Sequence, residues 1–259
     1  MNDELDKKEF WTARGEMQQN GGSDDYHLEL IERRLILTKL MKPGKVLEIG
    51  SGEGALLAEI HNLGASEIVG IDFSPTFIKR LKLKFQNFKS IRIIEMDIRN
   101  IDSFFKEAAF NNIVSKRTLI NLDDFKSQLE VIVKLSNLLL PGGKLILLEN
   151  FDSGLAELNV LRKAWGLKEM YRPWHNRYFA DEERQIIESE TSLRLILDES
   201  VASTYYLLSR VLNAKEALEN GTEPSYDSKI NFAAHNLPNI GNLGAPRLLI
   251  FEKTSIEKV

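Results

Sequence analysis

Apolar positions along this chain follow two rhythms. In "YHLELIERRLILTKLM", residues 26 to 41, they recur at helical spacing, with Asp24 or Asp25 placed to cap the first turn and "KPG" at 42 to 44 to break it. From Lys45 onward, short apolar runs alternate with amphipathic stretches. "KVLEI", "EIVGID", "IRIIEMD", "NNIVS" and "PGGKLILLEN" read as five strands. The segments between them read as helices at 53–63, from Ser74-Pro75, at about 101–109 and at 123–139, the last capped by Asp123 or Asp124. Apolar strands alternating with amphipathic helices predict an α/β fold with a doubly wound, mostly parallel sheet. A further helix at 181–190 and strands at about 193–201 and "RLLIFEK" bring the sheet to seven strands.

Two stretches depart from this rhythm. Residues 1–24 are polar and end in the loop signal "NGGSDD". Residues 154–180 and 203–245 interrupt the second half, and connections of that length usually form covers over a site. The expected organisation is therefore an N-terminal segment and helix (1–44) contributing to a cover, a ligand-binding half (45–150), and a half carrying the two cap insertions (151–259).

Composition changes the picture mainly by exclusion. The chain of 259 residues has net charge −4, a pI of about 5.7 and no cysteine. The acidity argues against a nucleic-acid binder relying on phosphate neutralisation. The missing cysteine removes disulfides and thiolate metal sites, and no metal-ligand spacing stands out. With no apolar run near the roughly 20 residues of a membrane span and no signal-peptide pattern, the expectation is a soluble cytoplasmic protein without a membrane partner. The oligomeric state is not legible.

Chemistry enters at "EIGSGEG". Three glycines alternate from Gly50 to Gly54, with Glu48 two residues ahead. The G-x-G-x-x-G of dinucleotide enzymes, which faces a pyrophosphate, has a different spacing and no need of that acid. A cationic ligand suits the acid better. Asp72 ends the second strand about 20 residues on, where a carboxylate can accept from both ribose hydroxyls, and Asp97 ends the third strand. In combination these residues, with "LLLPGGKLILLE", resemble the cofactor half of the class I S-adenosylmethionine-dependent methyltransferases over residues 45–150. The resemblance implies the Rossmann-like methyltransferase fold and S-adenosyl-L-methionine as cofactor. It implies that Glu48, Gly50 and Gly52 meet the methionine portion, Asp72 the ribose, Phe73, Asp97 and Ile98 the adenine, that Ser51 also binds the cofactor, and that Ser115 lies beside the sulfonium. Bland readings stand beside these: Gly54 as packing, Asp97 as a helix cap, Phe73 as core.

The acceptor is the open part, since function lives in the site and not the fold. "VSKRTLINL" after the fourth strand lacks the Asn/Asp-Pro-Pro of nucleic-acid amino-methyltransferases. The expectation is a small, anionic or sugar-type acceptor closed under the cap. Tyr26, Trp174, Asn176, Tyr178, Tyr205 and Tyr206 would wall it, and Arg172, Arg177 and Arg210 would clamp an anion. "WHN" and "TYY…SR" resemble segments of methyltransferases from cell-surface polysaccharide gene clusters, which implies a sugar acceptor. His175 is the leading base candidate and Glu149 the second. The aromatics as the cap's own core, a partner-dependent or non-catalytic cofactor-binding subunit, a protein-directed methyltransferase and a nicotinamide-dependent reductase are the alternatives.

Overall fold

A computed structural model describes residues 3–17, 23–40, 44–106 and 108–254. Most of the "KPG" break and the first half of the "NGGSDD" loop lie outside these residues. In chain order the elements are α1 (Asp3–Glu16), α2 (Tyr26–Lys39), β1 (Lys45–Ile49), α3 (Ala55–Asn62), β2 (Glu67–Asp72), α4 (Pro75–Lys84) and β3 (Ile91–Glu95). Then follow α5 (Ile101–Phe104), β4 (Phe110–Lys116), α6 (Phe125–Leu138), β5 (Leu139–Asn150) and α7 (Asp152–Ala164). The remainder comprises α8 (Glu183–Glu190), β6 (Leu193–Ser200), α9 (Ser203–Tyr206), a π-helical turn (Leu207–Leu212), α10 (Asn213–Glu219), α11 (Lys229–Ala234) and β7 (Pro246–Lys253).

The seven strands form one sheet in the order β3-β2-β1-β4-β5-β7-β6. β1 to β5 run parallel, and β7 pairs antiparallel with both β5 and β6. Strand order reverses between β1 and β4, so the crevice for a ligand opens beyond their C-terminal ends. Each face of the sheet is covered. Val131, Ile132 and Leu135 of α6, with Ile187 of α8, pack on Ile113, Leu145 and Leu147. On the other face Leu28 and Ile36 of α2, Leu57 and Ile60 of α3 and Leu81 of α4 pack on Val46, Ile68, Val114 and Ile146. Burial on both faces is why the parallel strands read as continuous apolar runs.

Asp25 and Asp124, not their neighbours, prove to be the caps, accepting from Leu28 N and Ser127 N. The sequence reading fails in three places. Residues 3–16 are a helix; Phe10 and Trp11 hold it by packing against Trp174 and His175 far along the chain. The helix after β3 stops at Phe104. Between β6 and β7 there are three α-helices in place of one, the first two joined through the π-helical turn.

Candidate active site

The loop after β1 makes the floor of the crevice. Gly50 has φ +68°, in the left-handed region, and a Cβ there would sit 2.1 Å from Thr118 Oγ1. Only glycine fits. At Gly54 a Cβ would strike Leu81 and Phe85, so that glycine serves the packing of α3 on α4. Asp72 pins the loop from the next strand: its carboxylate accepts from Gly52 N and from Ser74 N, each at 2.9 Å. Ser51 N donates to Ile71 O, which ties the same turn to β2. Phe73 is partly exposed at the rim.

Glu48 is 3% exposed, and its Oε2 has no hydrogen-bond partner. Burial pushes its carboxyl up to about 8, against the pull of Lys116 and with the help of Asp72. A buried, unpartnered carboxyl beside a glycine cradle fits a ligand carrying an ammonium and a sulfonium. The sign follows directly. Without ligand the group holds its proton below about pH 8. A cation favours the ionised form, so the proton leaves on binding. Affinity for S-adenosyl-L-methionine is therefore expected to rise with pH, by up to about tenfold per unit, and to level off above pH 8. Calorimetry from pH 6 to 9 checks this, and Glu48→Gln should flatten the slope; a wild-type slope as flat as the variant's would contradict it.

Asp97 lies at the expected strand exit, but its carboxylate is occupied. It accepts from Arg99 N at 2.9 Å and from the Arg99 guanidinium at 2.6–3.2 Å. The cap reading is thus realised, and an adenine amino group would compete with Arg99. Ile98 is partly buried against the core.

Two catalytic expectations need correction. Glu149 ends β5, is 1% exposed, and is committed to structure. Its carboxylate accepts from Ser115 Oγ and from the backbone N–H of Thr118, Leu119 and Ile120. It anchors the loop after β4, whose Thr118 abuts Gly50, and Ser115 turns toward Glu149. Burial raises the carboxyl to about 7, but four donors hold it in place as an anchor and not as a free base. His175 sits in an aromatic cluster 4.5 Å from the Phe10 ring and 5.3 Å from Trp11. Burial, then the charges of Lys7 and Arg14, lower it to about 4. It is neutral at physiological pH and gives no titration limb there. Its visible role is to seat α1, which Lys7 also ties to Asn121 O and Asp123.

The anion clamp is corrected too. Arg177 pairs with Glu183, Arg172 with Asp152 at 3.7 Å, and Arg210 with Asp25 at 2.6 Å. Each guanidinium already faces a carboxylate, which removes the charge excess an anionic acceptor needs. Tyr205 is 1% exposed and donates to Asp25, so it belongs to the cap's interior. Tyr26 and Trp174 are each 62% exposed. Asn176 keeps a buried Oδ1 without a partner. Tyr178 is buried with the core cluster, and Tyr206 packs against Gly244.

Sequence reasoning missed a charged network on the α2 side. Lys116 and Arg117, at the end of β4, reach Glu29 of α2, and Arg117 also pairs with the fully buried Glu32 at 2.9 Å. Burial raises the Glu32 carboxyl, partly offset by Arg117 and Lys116. Arg117 has φ +53°, a strained value for a side-chain-bearing residue. "KR" directly after a strand, with Glu29 and Glu32 one turn apart, was the available signal.

Residues 40–182 match the model of a family described as a methyltransferase domain. Over 151 residues the chain is 23% identical to EEF1A lysine methyltransferase 4 of Mus musculus, covering 53% of this chain and 58% of that protein. The chain thus spans a little over half the length of this curated relative. A solved complex between the Haloferax volcanii Trm112 methyltransferase activator and a methyltransferase contains a chain that superposes with TM-score 0.64 at 16% identity, covering 98% of this chain and 99% of that one. The N-methyltransferase NodS of Bradyrhizobium japonicum, in complex with S-adenosyl-L-homocysteine, gives 0.58 at 16% identity over 96% and 99%. These findings overturn the expected partner, a small-molecule acceptor alone. The mouse relative is named for a protein acceptor, and the archaeal structure is a complex with a protein activator. The chain belongs to this methyltransferase-domain family, and it is a class I S-adenosyl-L-methionine-dependent methyltransferase.

Proposed function

We propose that this chain methylates an amine on a protein, the ε-nitrogen of a lysine being the acceptor that fits best. The observation that carries the reading is the neutralised clamp: Arg172, Arg177 and Arg210 are each paired with a carboxylate, so these three arginines are not left to select an anion. The name of the mouse relative supports the same acceptor class.

When bound, S-adenosyl-L-methionine supplies a methyl group whose bond to a positively charged sulfur breaks as an acceptor lone pair attacks, the electron pair staying on sulfur. Glu48, the Gly50–Gly52 turn and Asp72 would hold it. The chain's own contribution is positional. Glu149 fixes the loop that shapes the cradle, and α1 with the His175 cluster would shield the crevice from water. Holding reactants in near-attack geometry can supply about 7–11 kcal/mol without any base. An amine needs none once it has lost its proton to water.

The test is transfer of labelled methyl from S-adenosyl-L-methionine to purified eEF1A and, separately, to a total-protein extract, followed by hydrolysis and amino-acid analysis. Label recovered as methyl-lysine is the expected result. Unlabelled protein beside labelled metabolites would refute the reading. A second reading, activity that needs an activator subunit, is favoured by the full-length likeness to the chain from the Trm112 complex. Turnover that appears only when a Trm112 protein is added would establish it.

A further inference from the structure

α1 is fastened on both sides of the crevice. Near its C-terminal end Gly15 lies close against Thr76 and Phe77 of α4, the helix that follows Asp72. Arg80 of α4 donates to Gly15 O at 3.4 Å and pairs with Glu53 of the glycine loop at 2.8 Å. In the middle, Phe10 and Trp11 rest on His175. Toward the N-terminal end, Lys7 reaches the loop after β4.

The Lys7 side chain is only 13% exposed. Its Nζ donates to Asn121 O at 3.0 Å and pairs with Asp123. Asn121 in turn donates through its side-chain amide to Arg117 O at 3.0 Å and to Thr118 O at 3.2 Å. Thr118 is the residue that abuts Gly50. A charged amine is therefore held by two oxygens within one short turn of the glycine cradle. Lys116, at the end of β4, is turned the other way, to Glu29 of α2.

We propose that Lys7 is a site of self-modification: with S-adenosyl-L-methionine bound, its Nζ stands where an acceptor lysine would stand and takes a methyl group within the same chain. This assignment rests on the reading that the acceptor is a lysine amine. The step balances. The ammonium first gives a proton to water, and Asp123, 46% exposed, connects it to solvent. The Nζ lone pair then attacks the methyl carbon, the carbon–sulfur bond breaks and its electron pair stays on sulfur. The products are a methylated ammonium and S-adenosyl-L-homocysteine. The flexible four-carbon stem lets Nζ swing away from Asn121 while the backbone stays in α1. Methylation keeps the charge, so the pair with Asp123 re-forms after one transfer and α1 stays seated.

The experiment incubates the full chain with S-adenosyl-L-methionine carrying a trideuterated methyl, alone and with a Trm112 protein, and locates the label by mass spectrometry of the digest. Label on Lys7 is expected, at a fractional rate that does not change when the chain is diluted, because the transfer stays within one molecule. Lys7→Arg should incorporate about tenfold less label while binding S-adenosyl-L-homocysteine as wild type does, a result misfolding cannot produce. A second readout needs no turnover. A positive Nζ close to the sulfonium opposes it, so Lys7→Gln should tighten S-adenosyl-L-methionine about threefold by calorimetry. S-adenosyl-L-homocysteine, whose sulfur is uncharged, should bind Lys7→Gln as it binds wild type, and Lys7→Arg should alter neither affinity. Unlabelled Lys7 in both arms would overturn the proposal. So would a fractional rate proportional to chain concentration, or Lys7→Gln binding S-adenosyl-L-methionine no better than wild type. The two readings fail separately. Methyl-lysine in eEF1A with Lys7 unlabelled removes the self-modification alone. Labelled Lys7 with eEF1A and the extract unlabelled removes the external protein acceptor alone.

Discussion

Gly50→Val is expected to lower cofactor affinity by more than 100-fold while leaving most of the helical signal in place. The left-handed φ of +68° costs a β-branched residue roughly 1–3 kcal/mol. The larger effect is steric. The new Cβ would lie 2.1 Å from Thr118 Oγ1, and Thr118 cannot retreat easily, because its hydroxyl donates to Ile49 O at 2.9 Å and its N–H is held by Glu149. Something must shift, and the cradle is what shifts: the turn that Asp72 holds through Gly52 N loses its shape. Calorimetry with S-adenosyl-L-homocysteine and circular dichroism give the two readouts. Retained affinity would mean that the cofactor does not lie against this turn.

Asp25→Ala should destabilise the fold by about 3–5 kcal/mol, the range for removing one partner of a buried ion pair. Asp25 is fully buried and does three things at once. It caps α2 by accepting from Leu28 N at 3.1 Å, accepts from the Tyr205 hydroxyl at 2.7 Å, and pairs with Arg210 at 2.6 Å. Alanine would leave the Arg210 guanidinium among Tyr205, Tyr206 and Tyr226 with no counter-charge. Tyr205→Phe, which removes one hydrogen bond and keeps the ring, should cost only about 1 kcal/mol. Urea titration distinguishes them. A loss for Asp25→Ala no larger than for Tyr205→Phe would show that water already screens the pair.

How far the sequence went depends on where each residue's partners lie. β1 to β5 and the helices between them were legible because burial on both faces writes apolar runs directly into the chain. The glycine turn after β1 was legible because its spacing is local. α1 was not: a charged stretch becomes a helix here through Phe10 and Trp11 meeting Trp174 and His175, contacts that no local pattern encodes. The same limit governs the chemistry. His175 and Glu149 were chosen for what their side chains can do, whereas their partners decide what they do. Burial, with the charges of Lys7 and Arg14, lowers the proton affinity of one, and three backbone amides with a serine hydroxyl fix the other. The arginines read as a clamp until Asp25 and Asp152, distant in sequence, and Glu183, one helix start away, are set beside them.

The place of β7 between β5 and β6 has a consequence for how the chain is made. β6 touches no strand except β7, and β5 has β7 on its outer edge. On the ribosome, residues 193–200 therefore emerge with no strand to join, and they wait until residues 246–253 have cleared the exit tunnel. At ordinary elongation rates of about 5–20 residues per second, that interval lasts seconds, far longer than the microseconds in which a hairpin forms. The five parallel strands can assemble meanwhile, with an apolar β5 edge open to solvent. Nascent chains with residues 201–245 still in the tunnel are thus the species in which this edge is exposed to chaperones and to wrong partners.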